Sequence, residues 1–228
     1  MSIHFSDDIS SLQKNSQPAS IVLDRRGGIY RNYGKQFIET TLVLVTAIVT
    51  VPVVLFLALL VGMDGSNPFY RQKRVGRDGR IFSMWKLRTM VPDAEERLME
   101  YLDANPRAKA EWEVSQKLKD DPRVTRLGRF LRRSSLDELP QLWNVVRGEM
   151  SLVGPRPMMV NQRSIYAGTS YYALRPGITG LWQTSDRNEC TFTERAAYDA
   201  EYDRSISLLQ DVAILFRTIR TVTSCTGY

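Results

Sequence analysis

The longest uninterrupted run of apolar positions covers residues 40–63, TTLVLVTAIVTVPVVLFLALLVGM, about 24 residues without a charge. At 1.5 Å of rise per residue, a straight helix of that length crosses a hydrocarbon layer of ~30 Å. Pro52 stands in the middle, where it removes a backbone donor and crowds the carbonyl four residues earlier. Each half then has about twelve residues and spans roughly 18 Å, enough for one leaflet. Arg25, Arg26, Arg31 and Lys35 precede the run, and Arg71, Lys73, Arg74, Arg77 and Arg80 follow it. Cationic flanks mark the cytoplasmic side, and a single span cannot place both flanks there. On pattern alone two forms stay open: a plain kinked span, which proline permits, and a helix-break-helix hairpin that enters and leaves by one face.

On either side of this run the pattern changes. Residues 1–34 carry many Ser, Asn, Gln and Gly and no apolar period, which predicts a mobile arm. Past the turn formers DGSNP at 64–68, the runs FYRQKRV and IFSMWKL flank GRDGR, so a cationic β-hairpin is expected with Asp78-Gly79 at its tip. Pro92 and Asp93 open a helix with Ala94, Leu98, Tyr101 and Leu102 on one face; Asn105-Pro106 breaks it, and a second helical segment runs to about Lys117. This charged pair reads as a solvated outer face.

After Asp121-Pro122, Leu127, Phe130 and Leu131 alternate with Arg126, Arg129, Arg132 and Arg133, a basic amphipathic segment suited to an anionic membrane surface. Ser135 stands three residues before Glu138, the spacing of a capping box. A helix is therefore expected to start there, with Asp137 and Glu138 in its first turn, Pro140 where a proline is tolerated, and Gly148 at its close. Gly154-Pro155-Arg156-Pro157 forms a stiff loop that presents one guanidinium, and Arg175-Pro176-Gly177 with Gly180 forms another. From residue 192 to about 222 the pattern predicts one helix, with Leu208, Val212, Leu215, Ile219 and Val222 recurring at spacings of three and four. The fold class expected is α+β, mainly helical. The parts are an arm (1–34), a membrane helix element (35–65) and a catalytic domain (66–228) with a small β-hairpin and interfacial amphipathic helices.

Composition narrows the partners. The chain has 228 residues, 25% of them charged, and a formal net charge of +6, which suits a lipid headgroup, a nucleotide or a nucleic acid. No nucleic-acid motif and no aromatic-basic stacking pattern accompanies the charge, so nucleic acid is not an expected partner. Cys190 and Cys225 lie far apart in a chain without a secretory pattern, which argues against a disulfide framework and for a cytoplasmic polar mass. The only histidine is His4. Catalysis, if present, must then rest on carboxylates, Arg, Lys and a hard metal ion.

Asp137 and Glu138 are the candidate acidic pair. Acidic residues in a first helical turn are common because exposed amides stabilise them there, so plain capping is the simpler account of the pair alone. Their company changes the picture: Arg132, Arg133, Arg156 and Arg175 lie near turns, with Lys86 and Arg88 at the end of the hairpin. Guanidinium forks and ammonium charges around two carboxylates suit phosphoryl chemistry, with Mg²⁺ relieving the repulsion between carboxylate and phosphate.

Three segments, FYRQKRVGRDGRIFSMWKLRTM, LRRSSLDELPQLWNVVRGEMSLVGPRP and RPGITGLWQTSDRNE, carry a resemblance. Over about residues 35–221 the chain resembles the monotopic bacterial phosphoglycosyl transferases, and most of all their exopolysaccharide, succinoglycan-type galactosyl-phosphate branch. The resemblance implies transfer of a sugar 1-phosphate from a UDP-sugar to undecaprenyl phosphate. The reaction takes place at the cytoplasmic face of the bacterial inner membrane, with Mg²⁺ and a covalent phosphosugar intermediate. It implies Asp137 as nucleophile and metal ligand, and Glu138 as its helper in proton handling or at the metal. Lys86, Arg88, Arg132, Arg156 and Arg175 become phosphate-holding residues. Asn188, Asp199, Tyr202 and Asp211 match later motif positions, where they shape the nucleotide or sugar pocket or serve the fold. Pro52 becomes the break of a re-entrant helix, which selects the hairpin over the kinked span. UDP-galactose is the donor favoured and UDP-glucose the next; inner-membrane lipid and a second copy of the chain are further partners the resemblance allows.

Two positions depart from the family pattern. Val51 stands where a serine often precedes the proline, and Asp186 where a glycine opens a Gly-Arg-Asn triplet. The reading from another class is a membrane-tethered basic scaffold without chemistry.

Overall fold

The structure, a computed structural model, describes residues 28–115, 118–185 and 194–223. Residues 1–27 of the arm expected at 1–34, and Asp186, Asn188, Cys190 and Cys225, lie outside the described residues. A π-helical turn, Tyr30–Gly34, leads directly into helix α1, Lys35–Val61. The helix thus begins ahead of Lys35, where the sequence places the end of the arm. Pro52 lies inside α1 and the backbone stays helical around it.

Burial along α1 is confined to its ends. Lys35, Glu39 and Val43, spaced four apart, are buried at one end, and Leu57 and Ala58 at the other. Between residues 44 and 56 no position is buried; Leu44, Val45, Ile48, Val49, Leu55 and Phe56 are all exposed. An apolar stretch exposed on every face is what a lipid-contacting helix requires.

The hairpin forms as expected. Strands β1, Phe69–Val75, and β2, Ile81–Leu87, pair antiparallel from Phe69 opposite Leu87 to Val75 opposite Ile81. Its tip carries Asp78 and Gly79 at φ 57° and 74°, the left-handed conformation that Asp and Gly accept most readily. Strand β4, Met158–Met159, adds to the free edge of β1, giving the order β2-β1-β4. A second, parallel pair joins β3, Ser151–Val153, to β5, Gly177–Thr179.

Helices α2, Ala94–Ala104, and α3, Pro106–Ser115, flank the Asn105-Pro106 break, and α2 buries none of its residues. Helix α4 is Arg126–Arg133, α5 Gln141–Val146 and α6 Ser170–Ala173. The expected single C-terminal helix is two: α7, Arg195–Ser205, and α8, Leu208–Thr223. The chain turns extended at Ile206, which packs with Val153, Leu174, Tyr202 and Ile214. Ser207 caps α8, its hydroxyl accepting from the Gln210 amide at 3.2 Å, so the break combines a local cap with the core contact of Ile206. On α8 the buried positions are Asp211 and Ile214, and Leu209, Val212, Phe216 and Ile219 stay exposed.

The two ends of α1 join the same body. Val43 packs with Phe82 and Met84 of β2 and with Val145 and Met150; Leu57 and Ala58 pack with Leu87 of β2 and Leu131 of α4. Lys35 Nζ meets Glu39 at 2.8 Å and Asp211 of α8 at 2.5 Å, and Glu39 accepts from the Ser151 hydroxyl at 2.5 Å. At the far end Arg88 donates to the Val61 carbonyl at 3.1 Å and pairs with Asp64 at 2.7 Å.

Candidate active site

Helix α4 sets the position of the acidic pair. Thr125 caps it by accepting from the Gly128 amide at 2.8 Å. Gly128 lies on the Thr89 backbone so closely that a Cβ would overlap the Thr89 carbonyl oxygen. That contact lets Leu131 bury completely and lets Arg132 Nε reach Thr89 Oγ1 at 2.9 Å. Arg129 and Phe130 are exposed, Phe130 at 57%, but Leu127 and Leu131, expected beside Phe130 on one interfacial face, pack into the core instead.

The capping box does not form. Ser135 takes φ 57°, ψ 16° and makes no side-chain cap bond. This left-handed serine, a conformation costing about 1–2 kcal/mol, turns the chain into a single 3₁₀ turn, Leu136–Glu138. Asp137 is buried there at 7% exposure, and Pro140 then caps the start of α5. Glu138 points to a cation instead of its own helix amide: Lys86 Nζ of β2 lies 2.6 Å from Glu138 and 3.6 Å from Asp137. A charged partner outcompetes a neutral amide for a carboxylate. Gly148, at φ 71°, ends the helical region as expected.

Asn144, fully buried, fixes α5 against β2. Its Oδ1 accepts from the Trp85 amide at 3.1 Å, and its Nδ2 donates to the Ser83 carbonyl at 2.9 Å and to Glu149 at 2.7 Å. The strand bearing Lys86 and the turn bearing the carboxylates are thereby held in register.

Arg156 arrives on the first of the two stiff loops. The Gly154 amide donates to Thr179 at 2.8 Å and the Gly177 amide to Pro155 at 2.7 Å, so the two proline-arginine loops clamp each other. Arg156 lies 5.9 Å from the Trp182 ring centroid, with the buried Arg195 at 5.6 Å from the same ring. Arg74 braces the loop by donating to the Pro157 carbonyl at 3.1 Å. Burial, with Arg156 nearby, lowers the Arg74 pKa to about 10.

The two carboxylates are driven in opposite directions. Burial raises Asp137 above the usual range; Lys86 and Arg132 oppose this, and the neighbouring charge of Glu138 adds to it. Burial also acts on Glu138, but Lys86, Arg156 and Arg74 outweigh it and hold Glu138 below its usual range. Environments that separate the pKa values of adjacent acids separate their roles. Glu138 is thus favoured as the anion, and Asp137 is the more basic of the two carboxylates.

Beside Glu138 and Arg156 opens a cavity of about 180 Å³, walled further by Arg133, Thr179, Gln183 and Thr184. Lys86, Arg132, Asp137, Glu138 and Arg156 thus come together. The other expected site residues stand elsewhere. Arg88 anchors the end of α1. Arg175 lines a separate cavity of about 80 Å³ with Arg31, Lys35 and Arg77. Asp199 accepts from the Tyr166 hydroxyl at 2.7 Å, and Tyr202 donates to Asp211 at 2.6 Å. Thr89, Asn144 and Trp182 contribute although the sequence reading passed over them; Trp182, between two arginines in space, gives no local signal of its neighbours.

Over residues 30–225 the chain matches the model of the bacterial sugar transferases. The chain belongs to that family. It is 48% identical over 196 residues, 83% of its length, to the UDP-galactose-lipid carrier transferase of Erwinia amylovora, of which it covers 41%. It is 46% identical over 177 residues, 77% of its length, to the undecaprenyl-phosphate galactose phosphotransferase of Salmonella typhimurium, covering 37%. With the exopolysaccharide production protein ExoY of Sinorhizobium fredii it shares 46% identity over 170 residues, 74% of this chain and 75% of that one. The chain therefore spans less than half the length of the first two relatives and about three quarters of the third.

Proposed function

We propose that this bacterial sugar transferase moves a sugar 1-phosphate, galactose 1-phosphate, from a UDP-sugar to undecaprenyl phosphate, initiating exopolysaccharide repeat-unit assembly. The observation that carries the reading is the buried Asp137, paired with the anionic Glu138 through Lys86 and faced by Arg132 and Arg156. The names of the Erwinia and Salmonella relatives support galactose.

An Asp137 carboxylate oxygen attacks the phosphorus that bears the sugar. The bond from that phosphorus to the bridging oxygen breaks, and UMP departs with the electron pair. A phosphate oxygen of undecaprenyl phosphate then attacks the same phosphorus, the Asp137–phosphorus bond breaks, and the carboxylate is restored. Glu138, ionised before the acceptor binds, takes the acceptor's proton when the lipid phosphate arrives protonated and afterwards releases it to water. Lys86, Arg132 and Arg156 hold the non-bridging oxygens.

Adjacent carboxylates with oxygen donors only, beside a space for phosphate, fit Mg²⁺, which takes one or two protein carboxylates and completes its shell with phosphate and water. Asp137 and Glu138 are the residues that would hold it. The ion supplies neutralisation of charge developing on the transferred phosphoryl group.

The attachment of both ends of α1 to one body supports a re-entrant course for residues 35–65, with the turn placed at Pro52 although the helix runs on through it, and residues 66–228 as the catalytic domain. A helix lying flat on the domain would bury a continuous stripe, whereas burial stops at Val43 and resumes at Leu57. With cationic residues on both flanks, that domain belongs at the cytoplasmic face of the inner membrane.

The test is UMP release by purified protein with UDP-galactose, Mg²⁺ and a polyprenyl phosphate. Asp137→Asn is expected to lower the rate about a thousandfold or more and to abolish labelling of the protein by donor labelled in the sugar-bearing phosphate. Full activity in that variant would refute the reading.

A further inference from the structure

The cavity beside Glu138 is lined by the charged Arg133, Glu138 and Arg156, by the apolar Leu139, Leu142 and Ile178, and by neutral polar side chains. The neutral polar part presents oxygens whose protons are already committed. Thr184 donates its hydroxyl to the Gly180 and Leu181 carbonyls at 3.1 and 3.2 Å. Thr218 donates to the Ile214 carbonyl at 2.8 Å, so the 2.7 Å contact between the Thr179 and Thr218 hydroxyls is one in which Thr179 donates. Gln183, 7% exposed, directs its amide nitrogen to the Ile178 carbonyl at 3.5 Å, and its Oε1 is buried without a partner.

Four oxygens thus offer lone pairs and no protons. Such a wall repels phosphate oxygens, which are acceptors too, and attracts a ligand rich in O–H donors. An unsatisfied buried acceptor such as Gln183 Oε1 is costly unless a ligand supplies its donor. A hexose carries a donor on each free hydroxyl, more than uridine with one uracil N–H and two ribose hydroxyls.

We infer that Thr179, Gln183, Thr184 and Thr218 form the subsite for the sugar hydroxyls of the donor, and that Gln183 is a specificity-determining residue that discriminates between epimeric sugars. This inference rests on the proposed transferase reading. Position agrees with chemistry: the sugar is joined to the attacked phosphorus, whereas the uridine is one phosphate further away, and the cavity begins at Glu138, next to the attacking Asp137. Gly180 packs this polar wall against the loop that carries Arg156. A Cβ there would overlap the Gly154 carbonyl oxygen and stand 2.8 Å from Gln183 Oε1, so only glycine lets the wall lie against the loop that carries Arg156.

The experiment uses the full chain in lipid nanodiscs, comparing wild type with Gln183→Leu, Thr184→Val and Thr184→Ser. UMP release is measured with UDP-galactose and UDP-glucose, and UMP is measured as an inhibitor. Gln183→Leu and Thr184→Val are expected to lower kcat/KM for the preferred donor roughly tenfold and to change the galactose-to-glucose ratio at least about threefold, with UMP inhibition and the melting temperature unchanged. Thr184→Ser, which keeps the hydroxyl, is expected to retain the wild-type ratio. A ratio that stays at the wild-type value in both variants overturns the inference; if UMP affinity falls in parallel, the wall holds uridine. Should Gln183→Leu melt early, the isosteric Thr184→Val decides by the same ratio. A wild-type protein that releases no UMP from any UDP-sugar would overturn the transferase reading and this inference together, whereas an active wild type with unmoved ratios overturns the subsite alone.

Discussion

Lys86 stands 2.6 Å from Glu138 and 3.6 Å from Asp137, so one ammonium restrains two adjacent carboxylates unequally. Lys86→Met removes the main stabiliser of both anions, and both pKa values rise. A higher pKa means a smaller ionised fraction at a given pH, so the acidic limb of the rate profile is expected to shift toward neutral pH. At neutral pH the rate should fall by roughly a hundredfold. A profile of UMP release against pH checks this, and an unmoved acidic limb would contradict the role given to Lys86.

Gly128 places α4 against Thr89, where a Cβ would overlap backbone rather than a mobile side chain. Gly128→Ala is expected to destabilise the fold by about 1–3 kcal/mol and to pull Arg132 away from Thr89, lowering melting temperature and activity together. Thermal unfolding in detergent reads the first effect and UMP release the second. Wild-type stability in this variant would show that α4 can shift without cost.

Cysteine labelling decides the course of α1. In a background with Cys190 and Cys225 replaced, Tyr33→Cys and Ser66→Cys are both expected to react with an impermeant thiol reagent from the cytoplasmic side of inverted vesicles. Reaction from opposite sides would establish a span.

Asp199 carries a pH signature separate from the chemistry. Burial raises its pKa from 3.8 to about 6, against the pull of Arg195 and the Tyr166 hydroxyl. The folded chain therefore binds this proton more tightly than the unfolded chain. The associated stability is full below about pH 4 and is lost as pH rises through about 6. A displacement of that size corresponds to roughly 3 kcal/mol. Plotted against pH, the melting temperature of wild type is expected to fall relative to Asp199→Asn across this window, and parallel curves would refute the assignment.

Much of this architecture is written in local patterns. The apolar run, the Asp78-Gly79 hairpin and the Asn105-Pro106 break are each enforced by residues next to one another, and the acidic pair with the nearby Arg132 is legible in the same way. What is not legible depends on distant partners. Ser135 and Glu138 have the spacing of a capping box, but Lys86, 52 residues before Glu138, takes the carboxylate. Between α7 and α8 the core site that Ile206 shares with Val153 and Leu174 has no local signal, whereas the cap beside it, Ser207, does. Arg175 resembles Arg156 in sequence, each next to prolines, yet the clamp between their loops sends the two guanidiniums to different cavities.

The ion pairs at the start of α1 bear on the order in which the chain assembles during synthesis. Lys35 and Glu39 lie one helical turn apart and neutralise each other as soon as that turn forms, at 2.8 Å. Their other partners, Ser151 and Asp211, lie 112 and 176 residues away, on Glu39 and Lys35 respectively, and leave the ribosome much later. The anchor can therefore settle at the membrane with its charges already matched. Helix α8 is the last element to bond to it, so a nascent chain cut short before residue 211 would be seated but left unlatched.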